Sequence, residues 1–297
     1  MSALLSAFVN VPAAADRPDS VEAMAARLRS LAVQGGRCRI VGAGSLAKRT
    51  APPPAGARLI TTVALNARAI DAPNLVAHVG AGCSLRALDA ALAEVGLIWP
   101  VRRLEPGGTV GGTVASGRGA GIRPADAPAR RWVLGAQVVT GAGRAIAVGG
   151  ATVKNSSGYH VAHALWGSNG VFGAIARLTL RLRVRRPDDP PEADASPALA
   201  GVLRAPVQVR CEELPSDVPS RLLDVDPAVQ VCWSGDRTRA LAGCEDVASV
   251  QPIIAAVQAA GGVAWQDVPP TPFVPSPAAA LVWRALRDAL DPAGLFV

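Results

Sequence analysis

The sequence predicts an α+β fold rather than a doubly wound α/β sheet. Strand and helix patterns alternate along the chain, but without the regular strand–helix–strand rhythm of a parallel sheet. A strand at 38–41 runs into Gly42-Ala-Gly44, yet the SLAKRT and triple proline that follow are unsuited to the helix that a Rossmann fold needs. A proline- and charge-rich break after residue 186 divides the chain into two unequal parts.

Composition indicates a packed globular chain and disfavours nucleic-acid binding. The 297 residues predict about two domains, and half of them are hydrophobic. The formal net charge is +7, but Lys48 and Lys154 are the only lysines among 30 basic residues, an arginine bias that genome base composition can produce. The sequence has no basic run with interleaved aromatic residues, so no nucleic-acid partner is expected.

Cysteine usage and the lengths of the apolar runs predict the compartment. The five cysteines are scattered and none forms CxxC, so we expect no zinc site, no iron–sulfur cluster and no other metal. No stretch approaches the roughly 20 apolar residues of a transmembrane span. A secretory signal requires a positively charged N-terminal region, and no basic residue precedes Arg17. The sequence therefore predicts reduced thiols and a cytoplasmic location.

The first 96 residues carry two helix patterns and three strand patterns. The first helix begins at the capping residues 19–20, keeps its apolar residues on one face and ends at Gly35-Gly36. The second runs from its cap Ser84 to about Val95, with Gly96 just beyond its end. Strands are predicted over residues 38–41, 59–63 and 75–79, with a turn at 71–74.

The run from Gly107 to Gly121, GGTVGGTVASGRGAG, is the most distinctive stretch of the chain. Glycine lets backbone N–H groups approach a ligand closely, and successive N–H groups form a concave anion site. Hydroxyl groups are added by Thr109, Thr113 and Ser116. Val110 and Val114 indicate that one side of the run packs against the protein. The pattern favours a pyrophosphate-binding loop, with a glycine-rich surface loop as the alternative.

The second half of the chain begins with a hairpin predicted around Gly141-Ala-Gly143. Residues 149–182 then hold a polar KNSSGY segment, an apolar helical turn, a GSNGVFG loop and a strand. Residues 187–198 are the predicted linker. Beyond the linker, we expect strands near 207–211 and 229–233 and helices near 250–260 and 278–290.

Three blocks within residues 39–185 resemble a known family: EPGGTVGGTVASG, RRWVLGAQVVTGAGRAIAVGG and VKNSSGYHVAHALWGSNGVFGAIARLTLRL. They are similar to the FAD-binding subunit of bacterial glycolate oxidase, a flavoprotein with the vanillyl-alcohol oxidase (PCMH) type of FAD domain. The resemblance implies two α+β subdomains with FAD between them over residues 1–186. A short, reduced α+β cap would follow the linker, over residues 199–297.

The resemblance also implies which residues contact FAD. The first pyrophosphate loop would consist of Gly42, Gly44 and Ser45. The diphosphate and the isoalloxazine edge would be held by Pro106, Gly108, Thr109, Gly111, Gly112, Ser116 and Gly117. The flavin would lie beside Asn155, Gly158 and Tyr159, and the adenine end would contact Gly173 and Ile175. Binding is expected to be noncovalent, because the first loop lacks the histidine through which some relatives attach FAD.

Two departures from the family bear on catalysis. His160 follows the GY pair where the family usually has an acidic residue, and it either tunes the flavin or is only a surface histidine. D-2-hydroxy-acid dehydrogenases of this fold place metal-binding histidines in the cap, but all three histidines here precede the linker. The resemblance therefore implies a subunit that is inactive alone. It would oxidise glycolate to glyoxylate with a larger flavin subunit, which would carry the base, and an iron–sulfur subunit. Through these partners it would reach the inner membrane.

Two alternatives stay open. A self-sufficient FAD oxidoreductase would need a catalytic residue from the C-terminal segment, where the candidates are Glu212, Glu213 and Asp267. A structural subunit that has lost FAD would keep only the fold. Other candidates have a simpler interpretation beside a functional one. The arginines Arg118, Arg123, Arg130 and Arg131 could steer an anion toward the flavin or form a solvated face. Lys154 could pair with a phosphate or a substrate carboxylate or be only a solvated or structural charge, and Trp132 and Trp166 are expected in the core rather than as stacking residues.

Overall fold

The computed structural model of the chain describes residues 11–12, 14–47, 50–103, 105, 107–123, 125–126, 128–150, 161–189, 202, 205–212, 214, 229–234, 239–268 and 277–297. The helices are α1 (Val21–Val33), α2 (Leu85–Glu94), α3 (Val110–Ser116), α4 (Val161–Ala164), α5 (Val250–Ala259) and α6 (Pro277–Leu290), with a 3₁₀ turn at Ala129–Trp132. The strands are β1 (Cys38–Val41), β2 (Arg58–Thr61), β3 (Arg68–Asp71), β4 (Val76–Gly80), β5 (Leu97–Ile98), β6 (Val101–Arg103), β7 (Gly119–Gly121), β8 (Val133–Val139), β9 (Ala145–Gly149), β10 (Ala174–Arg181), β11 (Arg183–Val184), β12 (Val207–Glu212), β13 (Gln230–Trp233), β14 (Ala240–Cys244) and β15 (Val263–Val268).

The N-terminal layer consists of α1 packed on the parallel pair β1–β2. Ser20 caps α1 by accepting a hydrogen bond from the N–H of Ala23 at 3.1 Å. The end of the chain joins this layer, because Phe296 bridges to Cys38 on the other edge of β1. Phe296 is buried in the same core as α1. Residues from both ends of the described chain therefore build this layer.

The central layer is a five-stranded antiparallel sheet in the order β3-β4-β10-β8-β9. Its core contains Leu88 and Leu92 from α2, Val110 and Val114 from α3, and Trp99. The valine spacing of four places both side chains on the buried face of α3, as the sequence predicted. The sheet and α2 thus hold α3 from one side.

The C-terminal layer is a four-stranded antiparallel sheet in the order β13-β14-β12-β15, covered by α5. Its core is separate from the central one and contains Val209, Ile253 and Val257. The last helix, α6, instead packs Leu286 and Leu290 against the central core. The predicted linker lies largely outside the described residues, so the proposed division at 187–198 stays a prediction.

The α+β class is confirmed, and most predicted elements lie within one or two residues of the observed ones. Seven strands were not predicted: β3, which pairs with β4 around the expected turn, the short strands β5, β6, β7 and β11, and β14 and β15 of the C-terminal sheet. The glycine run is not the continuous loop expected from its composition, since its middle forms α3 and its end forms β7. Within the described part of the chain, no helix combines the length and apolarity that crossing a bilayer requires.

Candidate functional site

The first predicted phosphate loop lies directly against the glycine run. A Cβ placed on Gly42 would lie 2.4 Å from the Oγ1 of Thr109, and one on Gly108 would lie 3.2 Å from the Oγ of Ser45. At position 42 only glycine allows this approach, because real Cβ atoms essentially never come within 3.0 Å of another heavy atom, and at position 108 the spacing is tighter than most real Cβ contacts. Two of the segments predicted to hold FAD therefore meet in the structure.

A buried arginine completes this junction. Arg103, at the end of β6, donates a hydrogen bond from Nη1 to the Oγ of Ser45 at 3.1 Å. The same nitrogen is 2.0 Å from the position of a Cβ on Gly108, which has a φ of +101°. Its side chain is only 1% exposed. The sequence interpretation missed Arg103, although it lies on a strand just before the glycine run.

The hydroxyl groups of the glycine run make hydrogen bonds within α3. Thr109 is the N-cap and accepts from the N–H of Gly112 at 3.0 Å. Thr113 and Ser116 donate to the carbonyls of Thr109 and Gly112, at 2.9 and 2.7 Å. Gly117 ends the helix with a φ of +65°. These bonds give a glycine-rich segment, which has low helix propensity, enough local support to form one.

The first backbone N–H groups of α3 donate to protein acceptors. Val110 donates to the carbonyl of Cys83, and Gly111 to that of Ala81, both at 2.9 Å. A Cβ on Gly111 would lie 2.6 Å from the Cβ of Ala81, so packing against this residue, which follows β4, is a sufficient reason for that glycine. The contacts predicted between FAD and residues 111–112 stay predictions.

The start of β10 reaches the same region from the other side. Ala176 lies at a register shift in β10, and its carbonyl accepts the N–H of Ala81 at 2.9 Å. Gly173 has a φ of +134° and packs against Val138, while Ile175 is buried and pairs with the same valine. Several predicted site residues lie outside the described residues: Pro106, Asn155, Gly158, Tyr159 and also His160, Lys154 and Glu213.

A second loop, GSNG at 167–170, also contacts α3. Gly167 donates to the carbonyl of Val114 at 2.9 Å, and Asn169 donates to that of Ala115 at 2.7 Å. Asn169 has a φ of +51°, a conformation that asparagine tolerates better than most residues. The loop therefore stabilises the end of α3, a role that was visible in the sequence only as a turn pattern.

Arg118, which lies within the glycine run, binds two carboxylates. It donates to Glu105 through Nη1 and to both carboxylate oxygens of Asp267 on β15, one of them at 3.0 Å. All three side chains are buried. Burial alone would lower the pKa of Arg118, but the charge of Glu105 and the hydrogen bond with Asp267 outweigh it and raise the pKa. The proposed role of Arg118 as a solvated charge is therefore wrong.

The C-terminal sheet also contacts the backbone around Arg118. Arg210 on β12 donates to the carbonyl of Gly117 at 3.1 Å, and Arg239 donates to the carbonyls of Gly117 and Gly119. These arginines, with Glu105 and Arg118, line a cavity of about 10 Å³, enough for about one water. Positively charged side chains of the C-terminal layer are thus fixed at the end of the glycine run.

The remaining candidates divide between structural and exposed positions. Arg123 pairs with Asp188 and Asp189, whereas Arg130 and Arg131 are exposed as expected. Trp132 is buried, and Trp166 is partly buried against the central core, as predicted. Asp267, a candidate base for a self-sufficient enzyme, is instead held by Arg118. The five cysteines, all within the described residues, are not in disulfides.

The chemistry of the junction fits a dinucleotide diphosphate. A guanidinium, a hydroxyl and a positive-φ glycine come from three separate segments and meet at Arg103, Ser45 and Gly108. These are groups that bind phosphate oxygens in proteins. The crowding at Gly42 and Gly108 means that a side chain at either position would disrupt the junction.

Comparison with known proteins shows what this architecture resembles. Residues 12–148 match the family model described as FAD binding domain. The described fold resembles that of alkyldihydroxyacetonephosphate synthase, with a TM-score of 0.63 at 12% identity, over 94% of this chain and 74% of that one. These matches confirm the predicted α+β fold with its FAD binding domain.

Two proteins are similar in sequence to part of this chain. D-lactate dehydrogenase of Archaeoglobus fulgidus is 36% identical over 158 residues, which is 53% of this chain and 35% of that protein. Glycolate oxidase subunit GlcE of Escherichia coli K12 is 32% identical over 117 residues, 39% of this chain and 33% of that protein. The chain thus spans about a third of the length of these relatives.

Proposed function

We propose that this chain is the FAD-binding subunit of a complex that oxidises glycolate to glyoxylate. The observation that carries the proposal is the meeting of Gly42, Ser45, Gly108 and Arg103 inside the segment that matches an FAD binding domain. The names of the two relatives, D-lactate dehydrogenase and glycolate oxidase subunit, support a small 2-hydroxy acid as the substrate class. The subunit role follows the Escherichia coli relative, which is named as a subunit.

In this proposal FAD is noncovalent and lies along the junction. The residues that would hold it are Gly42, Gly44, Ser45, Pro106, Gly108, Thr109, Gly111, Gly112, Ser116, Gly117, Asn155, Gly158, Tyr159, Gly173 and Ile175. When bound, FAD supplies the acceptor for the hydride released from the hydroxyl-bearing carbon. The chain itself binds and orients the dinucleotide, and Arg210 and Arg239 fix the end of the glycine run beside it.

The proposal includes partner subunits: a larger flavin subunit and an iron–sulfur subunit. The geometry around Asp267 supports this dependence, because the carboxylate is occupied by two hydrogen bonds from Arg118 and is poorly placed to accept a substrate proton. A base on a partner would take that proton. We propose the cytoplasm as the compartment, with the inner membrane reached only through the partners.

Flavin analysis of the purified chain tests the first part of the proposal. We expect an absorbance band at about 450 nm and release of intact FAD on denaturation. A protein that neither purifies with FAD nor binds it on addition would favour the structural subunit that has lost its cofactor. Flavin that stays attached after denaturation would contradict noncovalent binding.

Anaerobic bleaching of the flavin tests the substrate and the partners. We expect glycolate to bleach it when the chain is co-expressed with both partner subunits, and not when the chain is alone. Bleaching of the isolated chain by glycolate or another hydroxy acid would favour the self-sufficient oxidoreductase. In the complex, bleaching by D-lactate but not by glycolate would agree with a small 2-hydroxy acid as the substrate class but contradict glycolate as the substrate.

A further inference from the structure

Arg103 lies where the two glycine-containing segments of the site meet. Its Nη1 donates to Ser45, and the same nitrogen occupies the space beside the α-carbon of Gly108. The side chain is 1% exposed, so water screens its positive charge only weakly. A fixed positive charge therefore faces both segments at once.

The strand geometry fixes this position. Arg103 pairs with Gly119 across the β6–β7 ladder. Its Nε lies 3.8 Å from a carboxylate oxygen of Glu105, which is itself bound by Arg118. The guanidinium is thus held in place before any ligand arrives, and preorganisation of this kind lowers the cost of binding.

The neighbouring Arg102 provides an internal comparison. Its side chain leaves the strand on the opposite side, where Nη1 pairs with Asp89 at 3.2 Å and donates to the carbonyl of Trp99 at the same distance. Successive side chains of a strand point to opposite faces, so the two arginines experience different surroundings. Only Arg103 contacts the phosphate-loop residue Ser45.

We propose that Arg103 binds the diphosphate of FAD. The guanidinium is planar and offers parallel N–H donors, a geometry that matches two oxygens of a phosphate. Ser45 and Gly108 lie on either side of it and belong to the segments assigned to the diphosphate. The inference rests on the proposed function, because it requires FAD at this junction, and it adds a charged residue to a site otherwise built from backbone and hydroxyl groups.

Comparing the binding of FAD and riboflavin distinguishes a contact with the diphosphate from a general effect on the site. Riboflavin has the same isoalloxazine ring as FAD but no diphosphate. Binding of each to the full chain, freed of flavin, is measured by quenching of flavin fluorescence. We expect Arg103→Gln to weaken FAD binding roughly 10- to 100-fold, the effect of one charged hydrogen-bonding group. Riboflavin binding should stay within about twofold of the wild type.

Arg102→Gln is the matched control and should change neither affinity. Should Arg103→Gln fail to fold, Arg103→Lys keeps the charge but loses the planar fork, and we expect a selective loss of FAD affinity of roughly 3- to 10-fold. Equal losses for both flavins, unchanged FAD binding, or tighter FAD binding in a folded Arg103 variant would each overturn the inference. Failure of the wild-type chain to bind FAD would instead overturn the proposed function.

Discussion

Arg118 and Asp267 form a buried ion pair between the glycine run and the C-terminal sheet. Both oxygens of the Asp267 carboxylate accept from the guanidinium, and Glu105 binds the same arginine. The residues are 149 positions apart in the chain. The pair therefore joins β15 to the residue that follows Gly117, at the end of the predicted FAD site.

Asp267→Asn is expected to destabilise the protein by about 3–5 kcal/mol, the usual cost of removing one member of a buried ion pair. Arg118 would lose its partner on β15 while staying buried. The free energy of unfolding in urea is the measurement. Glu245→Gln, at an exposed position, is the control and should cost less than about 0.5 kcal/mol. Equal effects of the two substitutions would show that the pair does not stabilise the fold.

Gly42→Ala is expected to separate the first loop from the glycine run. The added methyl would lie 2.4 Å from the Thr109 hydroxyl, and such overpacking typically costs about 1–3 kcal/mol. We expect lower stability and weaker FAD binding together. Gly150→Ala is the matched control, since a Cβ there meets no heavy atom within 4 Å. A Gly42→Ala protein that behaves like the control would disprove the close contact.

Asp189 is expected to make stability depend on pH in the acid range. Hydrogen bonds from Arg183 hold the pKa of this carboxyl well below its usual value, against the opposing effect of burial, and Arg186 and Arg123 add to the lowering. A lowered folded-state pKa contributes stability that is complete above about pH 4 and lost as the pH falls below it.

Urea unfolding between pH 7 and pH 3 measures this contribution. We expect Asp189→Asn to be less stable than the wild type at pH 7 and to lose less stability on acidification. The neighbouring Asp188 pairs with the same Arg123 but is 73% exposed, so Asp188→Asn should change the pH dependence much less. Parallel pH profiles for the wild type and Asp189→Asn would contradict the prediction.

Cys38 is expected to resist alkylation in the folded protein. Burial raises the pKa of its thiol to about 12, and the negative charge of Asp291 adds to the effect. The reactive thiolate is therefore scarce at pH 8. Mass spectrometry after iodoacetamide treatment should find the partly exposed Cys232 modified first, with Cys38 modified only after unfolding. Equal rates at the two cysteines would contradict this burial.

Local signals were sufficient for the capped helices. Ser20 and Ser84 cap α1 and α2 as predicted, because the capping residue and the apolar face lie within a few positions of each other. The glycine run was misread as a continuous loop because its composition has low helix propensity. The hydrogen bonds within α3 and the packing of Gly111 on Ala81 together offset that propensity, and the packing contact leaves no local pattern in the sequence.

The site was predictable only in part for the same reason. Glycines at 42 and 108 were recognised from their loops, but the arginine between them was not. Arg103 and Ser45 are 58 residues apart, and no strand was predicted at residues 101–103 from which the direction of the arginine could be inferred. The same holds for Arg118 and Asp267, whose pairing depends on how the C-terminal sheet packs.

Because Phe296 lies beside Cys38, the N-terminal layer cannot be completed until residue 296 has been synthesised. Arg39 on β1 also donates to the carbonyl of Val297, 258 residues later. At about 5–20 residues per second, translation needs about 10–50 s to cover that distance. Throughout that interval one edge of β1 is open, and an unpaired edge can pair with other nascent chains. We therefore expect the N-terminal layer of ribosome-bound chains to need chaperone protection.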